Sequence, residues 1–308
     1  MSAATAGRLP ALPAVAAEIV ESLYQHRLLS AGQIQTLHAP QATLRFTQQL
    51  LHALERHGLA AAVRAGRGSP KLYFLTADGA QAAEQVPTRV ESRRKLLTPS
   101  QALGPLRAHT LAVNDTGIAF LEAARNRDED ECGPLAWRHE VAYPIGRPPG
   151  RRRGELLIAD ALLHYLLSEP DGELSFHYRF LELDRGTIPI DELAAKLARY
   201  RRLYGFTPEG EAVPAWQAEL PVFPGVLCVL ADRPRSRLER RLTTTAGLCQ
   251  ADPALPADGP VQVSFCLLED LRAEGPFAPI FVRHHDPERL VDWLGDDTPA
   301  PAREEGGR

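Results

Sequence analysis

One stretch, Phe176–Thr187, guides the interpretation of the rest of the chain; it consists of the residues FHYRFLELDRGT. Its first residues are rich in aromatic side chains and bounded by turn formers, which is typical of a β-strand. Side chains two residues apart lie on one face of a strand, so Phe180, Glu182 and Asp184 share a face. The stretch therefore predicts a strand whose apolar face ends in two carboxylates.

The segments around this strand alternate between strand and helix patterns. Runs rich in Val, Leu and aromatic residues predict strands at residues 135–144, 154–167, 174–184, 224–232 and 261–271. Helical spacing of apolar residues predicts helices at residues 189–205 and 236–249. This alternation indicates an α/β domain with a mixed sheet, within a protein that is α+β overall.

The N-terminal part has a different pattern, with three helix signals in succession. Helical spacing predicts a first helix over residues 11–25. Ser30 is placed to cap a second helix, and Thr43 to cap a third that turns Leu44 inward and ends before Gly58. Two short strands around a Gly-rich basic turn follow. Three helices and a β-hairpin are the order of a winged helix-turn-helix domain.

Polar and basic side chains on the third helix and the hairpin form a candidate DNA-binding surface. They are Arg45, Gln48, Gln49, His52 and Arg56 on the helix, and Arg64, Arg67 and Lys71 at the hairpin turn. In a helix-turn-helix domain the recognition helix enters the major groove, while cations nearby suit the phosphate backbone. The alternative is a solvated surface of a dimerisation module. Residues 1–100 carry eleven Lys or Arg against six Asp or Glu, and this basic balance favours DNA.

Several classes of protein are disfavoured by the sequence. No run approaches the roughly 18–20 apolar residues of a membrane span, and no secretory signal is recognisable, so we expect a cytoplasmic protein without membrane contact. The four cysteines form no CxxC pair, which predicts buried reduced thiols. Neither a phosphate-binding loop nor a dinucleotide fingerprint is present, so no nucleotide cofactor is expected.

Lysine is uncommon in this chain, which makes Lys196 informative. Thirty-two of the thirty-five basic residues are arginine, a composition typical of a GC-rich bacterial genome. On a helical projection Lys196 falls on the same arc as Leu193, Leu197 and Tyr200. A lysine on an apolar face indicates a buried acidic partner, which we expect among Asp160, Glu182 and Asp184.

Two arrangements of these carboxylates remain open at this point. Asp160, Glu182 and Asp184 would repel one another on convergence unless a divalent cation such as Mg²⁺ joined them. The alternative is a set of ion pairs with Arg179, Arg185 or Lys196 that stabilises the end of the sheet.

The segments IADALL (158–163), FLELDRGT (180–187) and ELAAKLARYRRLY (192–204) together resemble the replication-relaxation family of actinobacterial plasmid proteins. The resemblance implies a winged helix-turn-helix followed by a PD-(D/E)XK nuclease-like domain, a restriction-endonuclease-like mixed sheet flanked by helices. It assigns metal binding to Asp160 and Glu182, assisted by Asp184. Asp184 stands where the family's lysine normally lies, and Lys196 is placed to replace it as a catalytic residue.

These observations lead to a domain plan and two functional hypotheses. We expect a DNA-binding domain at 1–88, a linker with a connecting helix at 89–135, a nuclease-like domain at 136–290 and a disordered tail at 291–308. The first hypothesis is Mg²⁺-dependent nicking or cleavage of double-stranded DNA. The second is a non-catalytic DNA-binding accessory factor whose degenerate nuclease-like domain mediates homodimerisation or partner docking. A third, in which both domains bind only protein, also remains open.

Overall fold

The computed structural model describes residues 12–85, 96–127, 129–146, 154–169 and 171–295, and it shows a mixed α+β protein, as predicted. The described residues form a small three-stranded sheet and, later in the chain, a seven-stranded mixed sheet. The chain divides into two compact units, unit 1 at residues 1–114 and unit 2 at residues 115–308.

Unit 1 contains the predicted succession of three helices and a hairpin. Its elements are α1 (Ala14–His26), β1 (Leu29–Ser30), α2 (Ala31–His38), α3 (Leu44–Arg56), β2 (Ala60–Val63), β3 (Leu72–Leu75), α4 (Ala77–Glu84) and α5 (Pro99–Ala102). The three strands form an antiparallel sheet in the order β1-β3-β2. A further helix, α6 (Arg107–Arg125), begins in unit 1 and ends in unit 2.

The helix boundaries of unit 1 follow from the capping residues that the sequence indicated. The Ser30 side chain accepts a hydrogen bond from the Gln33 N–H, while the Gln33 side chain accepts one from the Ser30 N–H. Thr43 caps α3 by accepting from the Phe46 N–H, and Gly58 follows the helix with φ of 70°. Each such cap stabilises its helix by about 1 kcal/mol, so local chemistry fixes where α2 and α3 start.

Unit 2 is built on the seven-stranded sheet, in the order β10-β9-β8-β7-β6-β5-β4. Its elements after α6 are β4 (Trp137–Gly146), β5 (Glu155–Ser168), β6 (Leu174–Asp184), α7 (Ile190–Gly205), a 3-10 helix (Ala215–Ala218), β7 (Gly225–Leu230), α8 (Arg235–Ala251), β8 (Val263–Leu267), α9 (Leu268–Glu274), β9 (Phe281–Arg283) and β10 (Asp286–Val291). Strands β6, β7 and β8 pair in parallel, and the remaining neighbours are antiparallel.

Helices α7 and α8 pack on the sheet and bury their apolar faces there. Leu193, Leu197, Tyr200 and Leu203 of α7 are buried in one cluster with residues of α8 and the central strands, including Phe180. The Phe180 and Tyr200 ring centroids lie 5.1 Å apart. The predicted apolar arc of α7 is therefore the face that packs on β6.

Two boundaries differ from the prediction. The strand expected over residues 261–271 ends at Leu267, and Leu268–Glu274 is helical because Leu268 and Leu271 are buried at helical spacing before Gly275, whose φ is 80°. Residues 291–295, which were expected to belong to a disordered tail, are part of the folded unit. Trp293 is only 4% exposed, and its ring packs edge-to-face on Phe120 at 5.2 Å. Residues 296–308 lie outside the described part of the chain.

The sequence also led to expectations about the cysteines, membrane-spanning helices and the linker. All four cysteines are buried free thiols, as predicted. Within the described residues, the helices are too short or too polar to cross a bilayer. The basic run Arg93–Lys95 of the predicted linker lies outside the described residues.

Candidate functional site

Helix α3 presents one polar face to solvent. Its five predicted DNA-contacting side chains are all exposed; they are Arg45, Gln48, Gln49, His52 and Arg56. At 100° per residue they fall within an arc of about 100°. Thr47, Leu50, Leu51 and Leu54 occupy the opposite side and are buried. The face therefore combines two cations with three hydrogen-bonding side chains on a rigid element.

The beginning of α3 also differs from the expectation. Leu44, expected to point inward, is 41% exposed, and Phe46 is 42% exposed. Leu44 is the first residue of the helix, next to the N-cap Thr43. It therefore lies at the N-terminus of α3 and does not pack on the core formed by Leu51 and Leu54. Two apolar side chains therefore border the polar face of α3.

The hairpin β2–β3 places its three predicted cations in different environments. Arg64 and Arg67 are exposed, and Arg64 donates to the Ser69 carbonyl at 3.2 Å. Lys71 instead contacts the Glu55 carboxylate of α3, with 3.2 Å between Nζ and Oε2, and its Nζ lies 5.8 Å from the centre of the Tyr73 ring. Arg64 and Arg67 thus face solvent, whereas Lys71 links the hairpin to α3.

In unit 2, Asp160, Glu182 and Lys196 meet as the sequence predicted. Glu182 is 2% exposed, and its Oε2 accepts a hydrogen bond from Lys196 Nζ. Lys196 Nζ also lies 3.7 Å from Asp160 Oδ1. The Tyr200 hydroxyl donates to Glu182 Oε1 at 2.6 Å. Tyr200 was not among the predicted site residues, although its position four residues after Lys196 on the same arc was the available signal.

Strand geometry explains how Asp160 reaches this cluster. The β5–β6 ladder ends with Ala161 opposite Leu181, and beyond that pair the Leu183 N–H donates to Asp160 Oδ2 at 2.8 Å. On the other side of β5, the pairing with β4 is interrupted at Glu140, whose φ is 53°. A positive φ is uncommon for a residue with a side chain. This irregularity lies between the pairs His139–Ala161 and Val141–Ala159, at the level of Asp160.

Asp184 lies next to this cluster in sequence but has a separate partner. It is 3% exposed, and both carboxylate oxygens accept hydrogen bonds from the Arg241 guanidinium of α8. The Gly186 N–H also donates to Asp184 Oδ1, at 3.0 Å. Arg241 is separated from Asp184 by 57 positions, so no local pattern could have identified it.

The other two arginines considered as ion-pair partners point elsewhere. Arg185 pairs with Asp232. Arg179 donates to the backbone carbonyls of Tyr178 and Trp293. The predicted ion pairs of these carboxylates with Arg179 or Arg185 are therefore wrong, whereas the predicted pairing with Lys196 is confirmed for Asp160 and Glu182.

Burial and charge act in opposite directions on this group of side chains. Burial, reinforced by the charge of Asp160, raises the pKa of Glu182 to about 8, against the opposing effects of Lys196 and Tyr200. Burial alone would lower the pKa of Lys196, but the charges of Glu182 and Asp160 outweigh burial and raise it. Lys196 therefore stays protonated at neutral pH and forms the positive centre of the cluster.

The donor set does not fit the Mg²⁺ site that the resemblance implied. Both oxygens of Glu182 face donors, both oxygens of Asp184 face Arg241, and an ammonium stands between Asp160 and Glu182. A divalent cation beside that ammonium would be repelled. Among the described residues, His, Cys, Asp and Glu side chains form no group of three or more arranged to hold a metal.

Comparison with known proteins supplies a family. A family model described as replication-relaxation matches residues 20–213. Because that match spans more than half of the chain, the protein belongs to the replication-relaxation family, and the family description connects it with replication. Neither the curated proteins nor the solved structures contain a match. The matched residues include α3 and the Asp160–Glu182–Lys196 cluster but not Arg241.

Proposed function

We propose that this protein is a plasmid replication factor that binds double-stranded DNA through unit 1, which we interpret as a winged helix-turn-helix domain. The observation that carries the proposal is the exposed face of α3, where all five predicted side chains lie on one stripe. In a helix-turn-helix domain, such a polar face on the third helix is the surface that contacts base edges and phosphates.

The hairpin supports the same interpretation. Arg64 and Arg67 are exposed on the loop that follows β2, where they suit phosphate oxygens. Arg64 is held by its bond to the Ser69 carbonyl, so less side-chain entropy is lost on binding. Lys71, engaged by Glu55, contributes mainly by fixing the hairpin beside α3.

The ion pairs of unit 2 favour an accessory factor over a nuclease. Lys196 donates to Glu182 and lies beside Asp160, and Arg241 pairs with Asp184, so the acidic groups that would bind metal are already engaged in contacts within the fold. In this proposal unit 2 is a folded binding module, and the two ion-pair systems stabilise the carboxyl end of β6.

The proposal is tested by fluorescence anisotropy of a labelled random-sequence duplex in EDTA over a range of NaCl concentrations. Binding should occur without metal, and its affinity should fall steeply with salt because phosphate contacts release counterions. The Arg64→Ala/Arg67→Ala variant should bind more weakly and with a shallower salt slope. Arg240→Ala, which removes an exposed arginine of α8, is the matched control and should behave as wild type. Absence of binding at low salt would reject the proposal.

A further inference from the structure

A cavity in unit 2 lies at the amino-terminal ends of β7 and β8, on the opposite edge of the sheet from Asp184. Its volume is about 260 Å³. Two arginines, Arg179 and Arg283, line it together with Ser264 and the rings of Phe223 and Trp293. The combination of cationic and aromatic walls is typical of a site for a small organic anion.

Two hydrogen-bond donors at this cavity lack an acceptor among the described residues. The Nε atom of Arg283 is buried without a partner, and so is the indole Nε1 of Trp293, a residue that is 4% exposed. A buried donor without an acceptor destabilises the folded state, and more so when it carries charge. Buried polar groups are nearly always satisfied, so these two donors show that the wall of the cavity is rich in donors and short of acceptors.

A glycine lies next to each of the two arginines, Gly225 beside Arg179 and Gly295 beside Arg283. A Cβ at Gly225 would lie 3.4 Å from Arg179 Cδ and 3.5 Å from its Nε. A Cβ at Gly295 would lie 3.3 Å from Arg283 Nη1, and Gly295 has φ of 98°. At Gly225 this would be an ordinary van der Waals contact, and at Gly295 a slightly tight contact with the end of a flexible side chain, so both glycines lie directly against the arginines of the lining.

The charge of the cavity is positive. Asp292 is the acidic residue in its lining, and its Oδ1 accepts hydrogen bonds from the Leu294 and Gly295 N–H groups, both at 2.9 Å. Arg179 stacks over Trp293, 4.8 Å from the ring centre, and burial lowers its pKa to about 10 despite the charge of Asp292. Arg179 therefore stays protonated at neutral pH, and the lining holds two guanidinium groups and one carboxylate.

We propose that this cavity binds a small molecule through an oxoanion, a phosphate or carboxylate group held by Arg283 and Arg179. Charge-assisted bonds to guanidinium groups are among the strongest in proteins. The rings of Phe223 and Trp293 accommodate the apolar part of the ligand. Apart from Arg179, the residues named at this cavity lie beyond residue 213, where the family match ends, and none of them belongs to the proposed DNA contact.

The test uses the full-length protein titrated with sodium phosphate, sodium acetate or sodium chloride at equal ionic strength. Tryptophan fluorescence and the melting temperature are both followed. We expect a saturable change with phosphate or with acetate beyond the effect of chloride, and the more effective anion identifies the group. Arg283→Gln should weaken binding at least tenfold, whereas Arg240→Gln should not change it.

A second variant keeps the proposal falsifiable if Arg283→Gln does not fold. Ser264 lies directly opposite Arg283 on the neighbouring strand, so Ser264→Asp places a carboxylate beside that guanidinium. This variant should fold and no longer bind the oxoanion. The proposal is overturned if neither phosphate nor acetate exceeds chloride, or if a folded Arg283→Gln or Ser264→Asp variant binds as tightly as wild type.

Discussion

The coupling between Lys196 and Glu182 can be measured with a double-mutant cycle. Lys196→Met keeps most of the aliphatic packing of the side chain but leaves Glu182 buried without its cation. Removing one partner of a buried pair typically costs about 3–5 kcal/mol. Because the Lys196 side chain is 28% exposed while that of Glu182 is 2% exposed, water partly replaces the ammonium, and we expect a loss of about 2–4 kcal/mol.

The second single variant, Glu182→Gln, and the double variant complete the cycle. Glu182→Gln retains an acceptor for Tyr200 but removes the principal counterion of Lys196, which still faces Asp160 at 3.7 Å. The double variant lacks both the Lys196 ammonium and the Glu182 carboxyl group, so neither is left without its partner. The double variant should therefore be more stable than the sum of the two single losses predicts, by at least about 1 kcal/mol.

The loss in Lys196→Met should also depend on pH. Burial raises the pKa of Glu182 from an ordinary 4.5 to about 8. A carboxyl group with a raised pKa in the folded state stabilises the protein below pH 4.5, and this stabilisation is lost as the pH rises through about 8. Without Lys196 the buried anion has lost its cation. The variant should therefore be closer to wild type at pH 5 than at pH 8.

Urea denaturation at both pH values, followed by circular dichroism, measures the free energies of unfolding for all four proteins. The reasoning is refuted if the two single losses simply add, or if Lys196→Met is as stable as wild type at pH 8. Either result would show that the contact contributes nothing to the folded state.

Three further predictions concern the remaining charged groups. Arg241→Met should destabilise unit 2 by about 2–4 kcal/mol, because Asp184 would remain buried without a cation; the exposed control Arg240→Met should change the free energy of unfolding by less than about 0.5 kcal/mol in urea titrations. Lys71→Ala should weaken DNA binding in anisotropy assays less than Arg67→Ala, because Lys71 is already paired with Glu55. A larger effect of Lys71→Ala would show that Lys71, and not Arg67, is the main DNA contact of the hairpin. With Mg²⁺, wild type should nick supercoiled plasmid no faster than Glu182→Gln on agarose gels; faster nicking by wild type would show that the carboxylates can release Lys196 to a metal.

Much of the fold was predictable because it rests on local chemistry. Ser30, Thr43 and Gly58 are signals contained within a few residues of the boundaries they set. Period-dependent patterns likewise identified the central strands and α7. The end of β8 at Leu267 was missed because the apolar run that contains it is short, and strand and helix patterns are difficult to separate in such a run.

The candidate site was only partly predictable, for a similar reason. Lys196 was identified because a lysine on an apolar helical face requires a partner. That partner, Glu182, lies on β6, the strand directly before α7, so the two residues are close in sequence. Arg241 was missed because its pairing with Asp184 depends on how α8 packs, which no nearby residue encodes. Likewise, the cavity beside Arg283 combines segments from β6 to Gly295 and has no sequence motif.

The central claim is that the exposed face of α3 binds DNA without metal chemistry in unit 2. Its most direct test is the affinity of a labelled duplex in EDTA at low salt for wild type, Arg45→Ala/Arg56→Ala and the control Arg240→Ala. We predict that wild type and the control bind equally, and that the α3 variant loses at least tenfold in affinity, equivalent to about 1.4 kcal/mol. Equal binding by a correctly folded α3 variant would contradict the claim.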